Sequence, residues 1–135
     1  MLHDIGKTHI PTEILSKPGP LTPEERCVIN THPAKGMALC QDVELTPTAS
    51  QCILMHHERM DGSGYPGGLS GALIPDHVRA LCVADVYDAL TSVRPYAPAM
   101  PAFQALRLMR EEMTQHFDLD AYKRLVLILS DAKMV

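Results

Sequence analysis

The chain has 135 residues, 46% of them hydrophobic, which is enough for one domain around one core. A formal net charge of −4 argues against a nucleic-acid groove built from basic side chains, though not against an anionic substrate, because bound metal ions invert the local field. Trp is absent and aromatics are 4%, so the core must be aliphatic, with eight Met as filler.

Cys27, Cys40, Cys52 and Cys82 show no zinc or redox spacing, and no signal peptide precedes them. They read as buried thiols of a reducing cytoplasm. No apolar run approaches the roughly 20 residues of a membrane span.

In chain order, Leu2 to Lys7 reads as the last turn of a helix, with Gly6 as its stop. His3 and Asp4 place a nitrogen and an oxygen ligand type side by side. Thr8 to Pro20 holds three prolines and one short turn at Thr12–Leu15. Thr22-Pro23-Glu24-Glu25 combines a capping Thr, a Pro at the first helical position and Glu at the third, which predicts a helix to about Asn30. His32-Pro33 breaks it and opens a second piece to about Gln41. Taken alone, His32 reads as a capping or surface histidine.

Thr46-Pro47 repeats the capped start and predicts a helix to about His57. Ala49, Cys52, Ile53 and His56 fall on one stripe, so His56 points inward. Neighbouring helical residues point about 100° apart, so the rings of His56 and His57 suit two closely spaced ions rather than one. The stretch from His56 to Gly71 then carries five glycines and one proline in sixteen residues, an irregular loop of the kind that carries function.

Ile74-Pro75 opens the longest helix, to about Ser92, with Val78, Leu81, Cys82, Asp85 and Ala89 inward. A buried Asp85 needs a cation: a metal, or Arg79 as the structural answer. Pro95, Pro98 and Pro101 mark a loop. Pro101 to about Gln115 is amphipathic, with Ala102, Leu106, Met109 and Met113 inward, and Asp118 caps a last helix to about Leu129. No stretch reads as a strand, so the fold class is all-α. His9, His77 and His116 read as surface or structurally bonded residues, and Asp61 and Asp88 as holding loop and helix ends.

Taken together, His3-Asp4-Ile5-Gly6-Lys7, Leu21 to Glu25, Thr31-His32-Pro33, the His56–Gly71 passage with Gly64-Tyr65-Pro66, Ala84 to Ser92 and Arg94-Pro95-Tyr96 resemble the HD-GYP domains of the HD phosphohydrolase superfamily. The match runs from Leu2 to about Leu129. The resemblance implies an HD-superfamily helical bundle over 1–135 around two or three divalent ions, iron or manganese. It implies hydrolysis of cyclic di-GMP to pGpG and, in some members, GMP. The ligands it implies are His3, Asp4, His32, His56, His57 and Asp85, with Asp4 bridging two ions. Oxygen and imidazole donors without thiolate fit iron or manganese.

By the same resemblance Lys7 acts at the scissile phosphate, Arg94 contacts a substrate phosphate, and Tyr65 lies near the substrate. The Gly64-Tyr65-Pro66 loop would also engage diguanylate cyclase domains. A homodimer and a cytoplasmic location complete the expectation. The sequence departs from the family pattern in two places. It begins two residues before the His-Asp pair, where relatives have further helices and one more ligand. The bundle is therefore expected to lack its N-terminal helices, to self-associate and to hold metal loosely. Ala97 stands where many relatives have a basic residue. Two alternatives follow: an HD hydrolase of another cyclic dinucleotide or nucleotide, and a non-catalytic module that binds a nucleotide or a partner.

Overall fold

Three helix starts follow directly from local chemistry in the computed structural model, which describes residues 2–93 and 98–132. Helix α2 (Pro23–Ile29) begins at a complete capping box, in which Thr22 Oγ1 accepts from the Glu25 amide and the Glu25 carboxylate accepts from the Thr22 amide. Helix α4 (Pro47–Met55) begins at Thr46, whose hydroxyl accepts from the Ala49 amide. Helix α7 (Leu119–Asp131) begins at Asp118, which accepts from the Asp120 and Ala121 amides. The other helices are α1 (Thr12–Leu15), α3 (His32–Leu39), α5 (Asp76–Thr91) and α6 (Ala102–Glu112). Among the described residues there is no strand, only an isolated antiparallel bridge between Asp61 and Ser70.

Leu2–His9 is a 3-10 helix, and Gly6 lies inside it rather than ending it. Three residues per turn align positions i and i+3. His3 and Gly6 therefore share the buried face, and Asp4 and Lys7 the next, where they form an ion pair. Gly6 is required for a different reason than a helix stop. A Cβ there would overlap the His32 carbonyl oxygen and come within 2.6 Å of the Gly36 nitrogen, so only glycine lets this segment lie against α3.

Helix α3 packs on the 3-10 segment and on α4, and α5 packs on α4, α6 and α7. The central position of α5 explains why its expected single stripe is really two. Val78 and Cys82 join Ile74 in one cluster, closed by Met55, Met60 and Leu69. Val83 joins Met109 and Phe117 in another, closed by further α5 side chains, by Met113 and by α7 side chains. Leu81 and Ala89 are only half-buried. On α6 the inward positions are Ala105 and Met109, with Ala102 and Leu106 half-buried. Each fully buried Ile, Val or Met contributes roughly 1.5–3 kcal/mol. The core is aliphatic apart from Phe117. Cys40 and Cys82 are buried as expected, Cys52 is half-buried, and Cys27 is exposed on α2; all four are free thiols.

Candidate metal centre

Four segments deliver donor atoms to one place. The 3-10 helix brings His3 and Asp4, the first residue of α3 is His32, the end of α4 brings His56 and His57, and the middle of α5 brings Asp85. One donor atom from each of Asp4, His32, His56 and His57 lies within 4.8 Å of all the others. A second group, His3, Asp4 and Asp85, meets the same limit, and Asp4 belongs to both.

His32 is no surface residue: it is 0% exposed and points into this cluster. His56 and His57 also differ from the expectation of diverging rings. Helix α4 stops at Met55, His56 is the capping position, and the chain then turns. The helical 100° offset therefore no longer applies to His57. The two rings lie 4.2 Å apart between centroids and converge on Asp4.

Hydrogen bonding fixes the tautomers. His32 Nδ1 lies 2.7 Å from the Ile29 carbonyl oxygen, and His56 Nδ1 lies 3.0 Å from those of Cys52 and Ile53. A carbonyl only accepts, so both Nδ1 atoms carry hydrogen, which leaves Nε2 as the lone-pair site of each neutral ring. Those Nε2 atoms are 3.1 Å apart, and each is 3.4 Å from Asp4 Oδ1. Asp4 Oδ1 and His57 Nε2 are buried with no hydrogen-bond partner. Lone pairs so gathered repel unless a cation lies among them. Two nitrogens at adjacent corners of an octahedral ion with bonds of about 2.1 Å lie roughly 3 Å apart. The donor set fits a divalent cation.

The titration behaviour agrees. Burial raises the Asp4 carboxyl, but its other surroundings, the Lys7 ammonium at 2.8 Å among them, outweigh it and hold the group far below the usual carboxylate range. Burial, then the neighbouring His56 and His32, push His57 down to about 3, so it stays unprotonated as a ligand must be. His3, 3.2 Å from Asp85 Oδ1, lowers the Asp85 carboxyl against the effect of burial. Arg79 is not the partner of Asp85: it binds Asp118, Asp76 and the Ile74 and Gly71 carbonyls.

Around the donors lies a cavity of about 250 Å³, with Lys7, Tyr65, Asp85 and Met113 among its walls. Lys7 Nζ donates to Asp4 Oδ2 at 2.8 Å. The Tyr65 ring lies on His57, 4.8 Å between centroids and 20° from parallel. Burial, and then the negative Asp4, push the Tyr65 phenol up to about 12, so it remains a donor. A larger cavity of about 530 Å³ opens between α5 and α7, but neither donor group lies there, and the chemistry belongs to the smaller one. Arg94 and Ala97 lie outside the described residues.

Of two further residues in this region, Glu58 was not singled out from the sequence and Cys82 was read only as an inward, buried thiol. Glu58, 2% exposed, accepts from the Gly67 and Leu69 amides at 2.6 and 2.8 Å. A charged residue directly before a loop of free amides was the available signal. The Cys82 thiol, pushed up to about 12 by burial and then by Asp85, donates to the His56 carbonyl. The expected bystanders stay outside both donor groups: His9 is exposed, and His116 faces Asp61 at 3.7 Å. Asp61 holds its own loop through Ser63.

A model of the HD domain family matches residues 1–120. The chain belongs to the HD domain family. The HD-GYP resemblance read from the motifs stands with it. A cyclic di-GMP phosphodiesterase of Pseudomonas aeruginosa is 42% identical over 127 residues, covering 93% of this chain and 30% of that protein. A 3'3'-cGAMP-specific phosphodiesterase 1 of Vibrio cholerae is 42% identical over 114 residues, covering 84% of this chain and 26% of that protein. This HD domain thus spans less than a third of the length of these curated relatives. The HDG"Y"P protein Bd1817 of Bdellovibrio bacteriovorus superimposes with a TM-score of 0.75 at 23% identity, over 95% of this chain and 40% of that one, which shows the shared fold.

Proposed function

We propose that the chain is a metal-dependent phosphodiesterase that hydrolyses cyclic di-GMP to pGpG, GMP or both. The observation that carries this reading is the pair of donor groups sharing Asp4. His32, His56 and His57 would hold one ion, His3 and Asp85 another, and Asp4 both, with iron or manganese preferred on donor type. Two such ions supply Lewis acidity and a lowered water pKa to phosphoester hydrolysis.

The chain's own residues do the rest. Lys7, fixed beside Asp4, places an ammonium where phosphate charge accumulates. Tyr65 forms a flat wall with a protonated hydroxyl for the ligand. Arg94 is assigned to a substrate phosphate on the motif match alone. The tip residues Pro66, Gly67 and Gly68 are exposed, which suits contact with a partner such as a diguanylate cyclase domain. Exposed Leu127 and Ile128 on α7 suit a homodimer. Among the described residues no helix is long and apolar enough to cross a membrane, in keeping with a cytoplasmic protein.

A second reading has equal support in identity: the Vibrio cholerae relative is named for 3'3'-cGAMP. Loading the protein with iron(II) or manganese and assaying cyclic di-GMP beside 3'3'-cGAMP decides between them. Preferential release of pGpG or GMP from cyclic di-GMP is expected. Faster hydrolysis of 3'3'-cGAMP would move the assignment, and tight dinucleotide binding with no turnover under full metal loading would favour the non-catalytic module.

A further inference from the structure

We infer that Glu58 is a positioning residue whose carboxylate clamps the glycine-rich loop, so that Tyr65 lies flat on His57 and closes the wall of the substrate pocket. The role of the pocket rests on the phosphodiesterase reading above.

By its place in the chain, directly after His57, Glu58 invites assignment as one more metal ligand. The geometry assigns it elsewhere. Oε1 accepts from the Gly67 amide at 2.6 Å and Oε2 from the Leu69 amide at 2.8 Å, and the residue belongs to neither donor group. Among the described residues it has no Lys, Arg or His partner in an ion pair. A carboxylate that is 2% exposed needs compensation, and here two peptide dipoles provide it. The loop and the buried charge therefore hold each other: if the loop moves, the carboxylate is left bare.

Tyr65 is caught inside this closure. The chain leaves at Glu58 and returns to it at Gly67, two residues beyond Tyr65. Within the closed segment the Tyr65 amide donates to the His57 carbonyl at 3.1 Å. Gly64 has to be glycine there, since a Cβ would overlap that same carbonyl oxygen. On the far side, Leu69 is held by the Ile74–Val78–Cys82 cluster. The Glu58 carboxylate is thus the link between the core and the ring stacked on a ligand histidine.

The test uses the metal-loaded chain with Glu58→Gln, Glu58→Ala, Tyr65→Ala and the double variant Glu58→Gln/Tyr65→Ala. Amide exchange at Gly67 and Leu69 is read by NMR, metal by elemental analysis, and kcat and KM on cyclic di-GMP. Glu58→Gln keeps the side-chain shape but turns an NH₂ toward one of the two amides. It should speed exchange there about tenfold or more. Metal content should hold, and KM should rise about tenfold with kcat within about threefold. The double variant should match the KM of Tyr65→Ala, because one residue acts through the other.

Unchanged exchange at both amides, loss of metal without a change in KM, or effects that multiply in the double variant would each overturn the proposal. If Glu58→Ala does not fold, the Gln variant decides. If the wild type hydrolyses no cyclic dinucleotide, the functional reading falls. The amide exchange and the Tyr65–His57 ring contacts still decide the clamp.

Discussion

The Nε2 atoms of His32 and His56 face each other across 3.1 Å, each ring anchored by its Nδ1 to the carbonyl three residues earlier. Neither ring can turn away without breaking that anchor, so the repulsion is built in and a cation relieves it. Metal binding should then appear as folding stability. Ligand at a hundredfold excess over its dissociation constant adds roughly 2.7 kcal/mol. For a chain of this size that is about 10 °C in Tm. Scanning calorimetry with and without a strong chelator should show a drop of that order, and Asp4→Ala should lose most bound metal and its chelator response together. An Asp4→Ala protein with full metal content would remove Asp4 from the centre.

Lys7 offers a cleaner separation of holding from reacting. Its ammonium contacts Asp4 Oδ2 but brings no lone pair to an ion. Lys7→Ala should keep the metal and lower kcat by about 10²–10³, the usual loss for one charge-stabilising donor. Parallel metal analysis and steady-state kinetics check it. Unchanged turnover would make the contact a surface ion pair only.

What was legible beforehand divides by range. Helix starts at Thr22, Thr46 and Asp118 were readable because a cap and its target lie within three residues. His56 and Asp85 stood out too, since each interrupts an apolar stripe, whereas His32 taken alone read as a capping or surface histidine. The convergence of His56 and His57 was not, because it depends on α4 stopping at Met55, one residue before the pair. Glu58 was missed for a related reason: its partners are backbone amides nine and eleven positions on, so its place before a glycine-rich loop was the one hint the sequence offered. Gly6 was read by a local rule for helix ends, whereas its neighbour is the His32 carbonyl of another helix.

Asp118 gives a pH prediction away from the metal. It caps α7 and meets Arg79, which also binds the Gly71 and Ile74 carbonyls at the end of the loop. The Ala121 amide, and then Arg79 and the Asp120 amide, hold its carboxyl below the usual range against slight burial. A depressed folded value means that the stabilisation is complete above the unfolded value of about 3.9. It is lost as pH falls through the folded value. Asp118→Asn retains a competent cap and removes only the charge. It should lower stability by about 1 kcal/mol near neutrality. Thermal melts of both proteins should converge progressively below about pH 4. A gap that stays constant down to acid pH would show that the charge contributes nothing.

Gly6→Ala tests whether the metal centre depends on one close backbone approach. The added Cβ would overlap the His32 carbonyl oxygen, which belongs to the backbone and has no rotamer to escape into. The 3-10 segment and α3 must separate, at a cost of about 3 kcal/mol, the upper range for overpacking. His3 and Asp4 ride on one of these elements and His32 on the other, so the same displacement pulls these donor residues apart. Stability and metal affinity should therefore fall together. Gly36→Ala is the control: its Cβ would lie 3.0 Å from Ile53 Cγ2 and 3.3 Å from the Gly6 nitrogen, tight contacts of which the first is with a side chain that can shift. It should cost less, about 1–2 kcal/mol, and leave metal affinity nearly intact. Urea melts paired with metal titrations read both quantities. If Gly6→Ala destabilises the fold while metal affinity holds, His32 is positioned by α4 and Asp4 rather than by the packing of α3 on the 3-10 helix.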